Sequence, residues 1–233
     1  MRSQVTILAA GMGTRLGQPF PKPLTPLRDG RTIIEQQFEN IKKYLPEARI
    51  QVVVGFKFEQ VIESQPDAVF IYNKDFANTN TSKSLLRSLR ASAPGGMLWF
   101  NGDVVFDARI LERLIPLMQQ EQSFVAVNTA TVGEEEVKYT VDESGNIAEL
   151  SKTVQDALGE AVGINYVSAT DKDALIRHLA DVDDQDYFER GIELAIEHDD
   201  LKFNPIDISD LYAIEVDFKD DLQAANEQLE SRS

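Results

Sequence analysis

The chain has no cysteine and only two histidines, His178 and His198, among its 233 residues. Without thiols there is no disulfide framework and no thiolate metal site, and two histidines are too few for a histidine-rich zinc centre. No apolar run approaches the ~18 residues a membrane-spanning helix needs. The opening MRSQVTILAAG carries a short apolar run that ends in glycine, without the length or cleavage-site pattern of a secretory signal. These absences lead us to expect a cytoplasmic protein with no membrane partner. Positive charge is also scarce: 23 Lys and Arg stand against 39 Asp and Glu, a net charge of −16. A surface of that sign does not hold nucleic acid nonspecifically, so no nucleic-acid partner is expected. The basic charge that exists is concentrated: residues 1–50 carry 8 basic and 4 acidic side chains, residues 171–233 carry 6 and 19. A small anion is expected to bind near the N-terminus.

What is present reads as an α/β chain. QVTILAA is a short apolar run ending in small residues, the pattern of a buried parallel strand. TIIEQQFENIKKYL places Ile33, Ile34, Phe38, Ile41 and Leu45 at helical spacing behind a capping Thr32. RIQVVVGF, AVFIYN and GGMLWFNGDVVFD read as further strands, the last with its exit loop; KFEQVIESQ, NTSKSLLRSLRASA and ARILERLIPLMQQ read as helices. That alternation implies a doubly wound, mostly parallel, Rossmann-like sheet. SFVAVNTAT, KYTVDESGNIAELS and AVGINYVSA then read as strands joined by turns, with a hairpin turn at Glu143–Asn146. Helices over Asp171–His198, a strand near LYAIEVD and a last helix KDDLQAANEQLES follow. There is no repeat or linker, so one domain over 1–233 is expected, a sheet-forming half (1–127) followed by a C-terminal elaboration (128–233).

The stretch LAAGMGTRLGQPFPKPL follows the first strand, at the sheet edge where open α/β folds bind ligands. Gly11 and Gly13 let backbone N–H groups approach phosphate oxygens; Arg15 and Lys22 add charge. On the glycines alone, a tight turn with solvated basic residues reads equally well. A P-loop fails, because counting from Gly11 puts Leu16 where its second glycine belongs. A dinucleotide fingerprint fails too: Gly17 comes one position late, and Pro19, Pro21 and Pro23 cannot lie in the helix it requires. That makes an NAD(P) oxidoreductase a poor reading. The prolines instead hold Lys22 in an extended segment restricted on both sides.

LAAGMGTRLGQPFPKPLTPL resembles the signature of the nucleoside-triphosphate transferases, the sugar-phosphate and alcohol-phosphate nucleotidyltransferases, with a shorter spacer before Pro21-Lys22 than many sugar enzymes have. The resemblance implies that the loop wraps base and triphosphate, engaging Leu8, Ala10, Gly11, Gly13 and Thr14. It implies too that Arg15 and Lys22 act catalytically on the phosphates and the pyrophosphate leaving group. It further implies an NTP-binding half over 1–127 and an acceptor-binding half over 128–233.

Asp103, just after a buried strand, would face the same cleft, where Mg²⁺ on an α-phosphate needs carboxylate oxygens. By itself Asp103 also reads as a turn residue, and Asp107 reads as a helix cap. Glu215 and Asp217 stand two apart on a strand and so point to one face. The resemblance to the family's EIDxxxDL ending makes Asp217 the second metal ligand and Glu215 the next candidate. Without it, they are surface charge.

For the acceptor, the resemblance implies a lysine after the hairpin, Lys152, in contact with the acceptor phosphate. YNKDFANTNTSKSLLRSL resembles phosphocholine-type cytidylyltransferases rather than the glycine-rich sugar type. Asn78, Asn80, Thr81 and Ser84 then serve a base edge or ribose, or Asn80-Thr81-Ser82 simply cap a helix. GEAVGINYVS resembles the family's GxxxGI strand, which gives Glu160 to an acceptor hydroxyl or amine. Tyr187, Phe188 and Glu189 either surround a small ammonium group or, for the aromatic pair, pack in the core.

The reading reached is a Mg²⁺-dependent nucleotidyltransferase, acting as a monomer or homodimer. It joins an NTP, best CTP, to a small phosphate- or phosphonate-bearing alcohol or amine and releases pyrophosphate. Phosphocholine, phosphoethanolamine, 2-aminoethylphosphonate and polyol phosphates are the candidate acceptors. A sugar-1-phosphate nucleotidyltransferase is the alternative in the same class, and a nucleotide-binding regulatory domain is the alternative outside it.

Overall fold

A computed structural model describes residues 3–130, 132–133 and 135–230. Along the chain run β1 (Gln4–Ala9), two short 3-10 turns (Thr14–Leu16 and Lys22–Leu24), α1 (Ile33–Tyr44), β2 (Arg49–Val54), α2 (Phe58–Ser64), β3 (Val69–Tyr72) and α3 (Thr81–Ala91). Then come β4 (Met97–Asn101), β5 (Val104–Phe106), α4 (Arg109–Gln119), β6 (Phe124–Asn128), β7 (Lys138–Val141), β8 (Ile147–Ser151) and β9 (Gly159–Val167). The chain finishes with α5 (Lys172–Asp181), α6 (Phe188–Asp199), β10 (Asn204–Asp207), β11 (Ala213–Glu215) and α7 (Lys219–Glu230).

The main sheet has the order β10-β6-β9-β4-β1-β2-β3, with the hairpin β7–β8 attached to β9. β1 pairs in parallel with both β2 and β4, and β10 pairs in parallel with β6. Only β9 runs against its neighbours along this path. The fold is therefore the expected α/β sandwich with a mostly parallel sheet, and β9 joins its two flanks into one surface.

Residues alternate between two apolar layers. Ile34, Phe38 and Ile41 of α1 and Leu111 and Leu114 of α4 cover one face of the sheet. Leu85 and Leu89 of α3, Leu175 and Leu179 of α5 and Ile192 of α6 cover the other. α1 starts as its sequence indicates, with Thr32 and Glu35 forming a reciprocal capping box. A third, smaller cluster matters most for function: Leu16 and Leu27 of the opening loop pack with Val105 of β5 and with Val216 and Ala225 near the C-terminus. It staples the two ends of the chain together.

Two segments depart from expectation. GGMLWFNGDVVFD is two strands, because the chain turns at Asn101-Gly102-Asp103 and β5 leaves the main sheet to pair antiparallel with β11. β10, which was not expected, contains Pro205. A strand with proline is tolerated only where a ladder N–H can be spared, and β10 is an edge strand. No described helix is long and apolar enough to cross a membrane.

Candidate active site

The carboxyl ends of β1 and β4 open onto a cleft of about 390 Å³. The opening loop supplies one wall. Gly13 adopts φ +59°, and a Cβ there would stand 3.1 Å from Lys22 Cβ, so glycine lets the loop fold down onto the lysine segment. Pro21 and Pro23 flank Lys22 and start the second 3-10 turn. Gly11 also lines the cleft, and a Cβ at that position would meet only open space.

At the cleft floor two distant parts of the chain converge on one ammonium. Lys22 Nζ donates to Asp103 Oδ2 at 2.8 Å and also to Asp217 Oδ1, which lies 195 residues further along the chain. Arg15 Nη1 donates to Asp217 Oδ2 at 3.0 Å, and its guanidinium lies 5.7 Å from the Phe218 ring centroid. The ends-joining cluster explains the meeting: Leu16 follows Arg15 and Val216 precedes Asp217, and both are buried in it. Burial alone would pull the Lys22 ammonium down, but Asp103 and then Asp217 outweigh it and hold the lysine above its ordinary range. Burial works to raise Asp217, yet its hydrogen bond to Lys22, with the charges of Lys22 and Arg15, leaves its carboxyl below the usual range. Asp103 Oδ1 is buried and has no hydrogen-bond partner. Two carboxylates thus face one cleft with an oxygen to spare.

The far wall is acidic. Glu215 Oε1 accepts from Asn101 Nδ2 at 3.0 Å, and burial, reinforced by Asp103 and Glu136, pushes Glu215 well above the carboxylate range. Burial pushes Glu189 up to about 7, and its Oε2 has no partner. Glu136 is raised by burial and then by Glu160. Lys152 Nζ sits 5.1 Å from the Tyr187 ring centroid, among these carboxylates.

Gly163 of β9 makes this wall possible. It has φ +69°, and a Cβ there would lie 2.6 Å from Glu215 Oε1 and 2.9 Å from Asn101 Nδ2. Gly163→Ala is therefore expected to destabilise the protein by about 2–4 kcal/mol, the sum of left-handed strain and overpacking, read as a lower midpoint in denaturant titration. A midpoint within error of the parent would show that Glu215 is free to move aside.

Of the residues singled out in the sequence, Leu8, Gly11, Gly13, Arg15, Lys22, Asn80, Thr81, Asp103, Lys152, Tyr187, Phe188, Glu189, Glu215 and Asp217 line this cleft. Four others lie off it. Ala10 is buried with its carbonyl accepting from Phe56 N, and its neighbour Ala9 takes its place on the wall. Asn78 is exposed in a separate groove with Lys83 and Arg87, where its carbonyl accepts from Gln185 Nε2. Ser84 is buried beneath α3 and accepts from Asn73 Nδ2. Glu160 accepts from Gly133 N at 2.7 Å and turns to the β6–β7 connection. Thr14 opens the first 3-10 turn, but its side chain lies outside what the structure describes. Asn80 is the cap of α3, its Oδ1 accepting from Thr81 N, and it also borders the cleft. Phe188 packs edge-on against Trp99 and is 1% exposed, a core ring, whereas Tyr187 is 42% exposed. Asp107, read as the helix cap, stands one residue before it: the cap of α4 is Ala108, and the Asp107 carboxylate accepts from Arg109 N.

Asn101 and Glu136 were not foreseen. Asn101 had a signal, a polar residue closing an apolar strand just before Gly102-Asp103. Glu136 had none, because it sits in a run of glutamates that reads as solvated surface.

Comparison with known proteins gives a consistent picture. Residues 5–181 match the model of the MobA-like NTP transferase domain. The bifunctional protein GlmU of Gloeothece citriformis is 32% identical over 130 residues, 54% of this chain and 28% of the relative. CMP-5'-(3-aminopropyl)phosphonate synthase of Streptomyces rubellomurinus is 33% identical over 120 residues, 48% of this chain and 19% of that protein. The match thus covers less than a third of the length of each of these relatives. Among solved structures, the inositol-1-phosphate CTP transferase of T. maritima superposes with a TM-score of 0.81 at 17% identity, covering 99% of this chain and 95% of that one. CTP:phosphocholine cytidylyltransferase of Streptococcus pneumoniae gives 0.77 at 18% identity, covering 98% and 100%. At those identities the structures speak for the fold.

Proposed function

The chain belongs to the MobA-like NTP transferase family, and from that premise we propose that it is a Mg²⁺-dependent nucleotidyltransferase that joins CTP to a small phosphate- or phosphonate-bearing alcohol or amine. The observation that carries the reading is the meeting of Arg15, Lys22, Asp103 and Asp217 in one cleft at the carboxyl edge of the sheet. The choice of CTP is supported by the two CTP-using structural neighbours. The acceptor class is supported by those neighbours and by the aminopropylphosphonate relative.

An oxygen of the acceptor's phosphate or phosphonate attacks the α-phosphorus of the nucleotide. The bond from that phosphorus to the oxygen bridging to the β-phosphate breaks, and pyrophosphate leaves with the electron pair. The attacking oxygen is already ionised at neutral pH, so no side chain has to remove a proton. The protein's work is positioning and charge neutralisation. Arg15 and Lys22 balance the triphosphate and the departing pyrophosphate. Lys152 meets the acceptor anion and lets two negatively charged reactants approach. Gly11 leaves space for phosphate to come against the backbone. Asn80 and Thr81 border the cleft where base or ribose would lie.

The residues fit a divalent metal. Asp103 Oδ2 and Asp217 Oδ1 both accept from Lys22 Nζ, and Asp103 Oδ1 is buried without a partner, so hard carboxylate oxygens stand together beside the cleft. When bound there, Mg²⁺ would neutralise charge on the α-phosphate.

A sugar 1-phosphate is the second acceptor class, favoured by the sequence likeness to GlmU proteins. Pyrophosphate release measured over a panel of nucleoside triphosphates and acceptors separates the two. Turnover is expected with CTP and a small phosphorylated or phosphonylated alcohol or amine. Turnover confined to a hexose 1-phosphate would replace the first reading with the second.

A further inference from the structure

Resting on the nucleotidyl-transfer reading, we propose that Gln37 of α1 is a positioning residue of the metal site: its buried amide fixes the turn that presents Asp103, and so sets how tightly Mg²⁺ is held.

α1 carries a row of amides on the side that faces the core. Ile34, Phe38 and Ile41 pack there as an amphipathic helix requires. Beside them Gln36, Gln37 and Asn40 are also buried, Gln37 at 0% exposure. Burying an amide costs free energy unless its polar atoms find partners. All three direct their N–H donors at the main chain around β5. Gln36 Nε2 and Asn40 Nδ2 donate to Phe106 O at 2.7 and 2.8 Å. Gln37 Nε2 donates to Asn101 O at 2.9 Å and to Val104 O at 2.8 Å.

The topology of β5 explains why amides stand here. Among the described residues its ladder has one partner strand, β11. Val216 N donates to Asp103 O, and Asp107 N donates to Tyr212 O. The alternation of an antiparallel ladder therefore turns the carbonyls of Val104 and Phe106 away from β11. The α1 side chains meet them where a second strand would.

Gln37 differs from its two neighbours in what its bonds bracket. Phe106 O lies further along β5 and receives two donors. Asn101 O and Val104 O lie on either side of Gly102-Asp103, and one nitrogen holds both. An amide nitrogen has two hydrogens, so each carbonyl takes one and the span of the turn is set. The other ties are main-chain bonds: Gly102 N donates to Leu8 O, and Asp103 O accepts from Val216 N, each at 3.0 Å. The turn is thus pinned from β1, from the segment leading to Asp217, and from α1. Asn101 also carries the effect across the cleft, because its Nδ2 donates to Glu215 Oε1. Gln37 Oε1 is buried without a hydrogen-bond partner, so what the residue contributes are the two bonds of its nitrogen. Removing a group that orients a metal ligand changes metal affinity or activity by about 10–100-fold.

The test compares Gln37→Met with Gln36→Met. Each removes one buried amide from the same helix, but Phe106 O keeps its Asn40 donor when Gln36 is lost. Both thermal midpoints should fall. Only in Gln37→Met should calorimetry show Mg²⁺-dependent CTP binding weakened by about tenfold to a hundredfold, and the Mg²⁺ concentration for half-maximal pyrophosphate release should rise by a similar factor. CTP binding measured with a chelator should match the parent's in both, since the opening loop is untouched. If Gln37→Met does not fold, Gln37→Asn keeps the amide but draws its nitrogen back from the two carbonyls, and the same rise in Mg²⁺ requirement is expected. Added to Asp103→Asn, a Gln37 change should lower the midpoint yet weaken Mg²⁺-dependent binding little further, because the ligand it positions is already gone. A parent-like Mg²⁺ requirement in the Gln37 variants, an equal rise in Gln36→Met, or effects that multiply with Asp103→Asn overturn this inference and leave nucleotidyl transfer standing. A parent protein that binds no nucleotide with Mg²⁺ and releases no pyrophosphate with any nucleotide and acceptor overturns both.

Discussion

Asp103→Asn is expected to lower kcat/KM for pyrophosphate release by about a thousandfold or more, as loss of a metal-holding carboxylate does. The same change should leave the thermal midpoint where it is or raise it. Asp103 stands in a cleft with more carboxylates than cations, and its charge helps drive Glu215 well above the carboxylate range. Neutralising it relieves that repulsion. Lys22 keeps a partner, because Asp217 still accepts from its ammonium. Asp103 Oδ1 has no hydrogen bond to lose. The arrangement is one in which stability is given up for a charged site, so activity and stability should move in opposite directions. Kinetics on the purified variant, with a thermal melt of the same sample, check both halves. Activity within about tenfold of the parent would remove Asp103 from the metal site.

Lys22→Met is expected to have the next largest effect. Lys22 is 12% exposed along its side chain and holds together two carboxylates that are 22% and 27% exposed. Without it, Asp103 and Asp217 face each other, and of the two Arg15 reaches only Asp217, which the charge of Lys152 also favours. Turnover should fall by about 10²–10⁴, the cost of removing a preorganised charge from phosphoryl chemistry. The thermal midpoint should also fall and become sensitive to Mg²⁺, which would supply the missing positive charge between the carboxylates. A variant whose melting responds to Mg²⁺ no more than its parent's does would contradict the shared site. Far-UV circular dichroism should show the same secondary structure in both proteins, because the residue belongs to a loop and not to the sheet.

Much of this was legible in one dimension, for identifiable reasons. The buried strand Gln4–Ala9 and the capped helix after Thr32 have patterns with a single physical solution. The prolines around Lys22 excluded the dinucleotide-binding helix, and Leu16 in the place of a glycine excluded the P-loop. The place just after a buried strand singled out Asp103, and the resemblance to the EIDxxxDL ending singled out Asp217. What the sequence concealed were features decided by packing across the sheet. Ser84 looked like a polar ligand, but its hydroxyl is turned to Asn73 under α3. Glu160 stands on a strand that borders the site, yet Gly133 N captures its carboxylate. Phe188 and Tyr187 are neighbours in the chain with opposite fates, because α6 begins between them and buries only one ring. Glu136 is the reverse case, one glutamate of a charged run whose side chain turns inward. The unexpected strand β10 escaped because its proline argues against a strand anywhere except an edge.

The central claim is that Asp103 and Asp217 act as one metal-binding unit beneath the opening loop. It is tested most directly by calorimetric titration of CTP with Mg²⁺ into the parent, Asp103→Asn, Asp217→Asn and the double variant. Ligands of a single ion do not act independently, so the account predicts that each single change weakens Mg²⁺-dependent CTP binding by a similar factor and that the double change adds little more. Effects that multiply in the double variant, or an Asp217→Asn protein that binds CTP as the parent does, would contradict it.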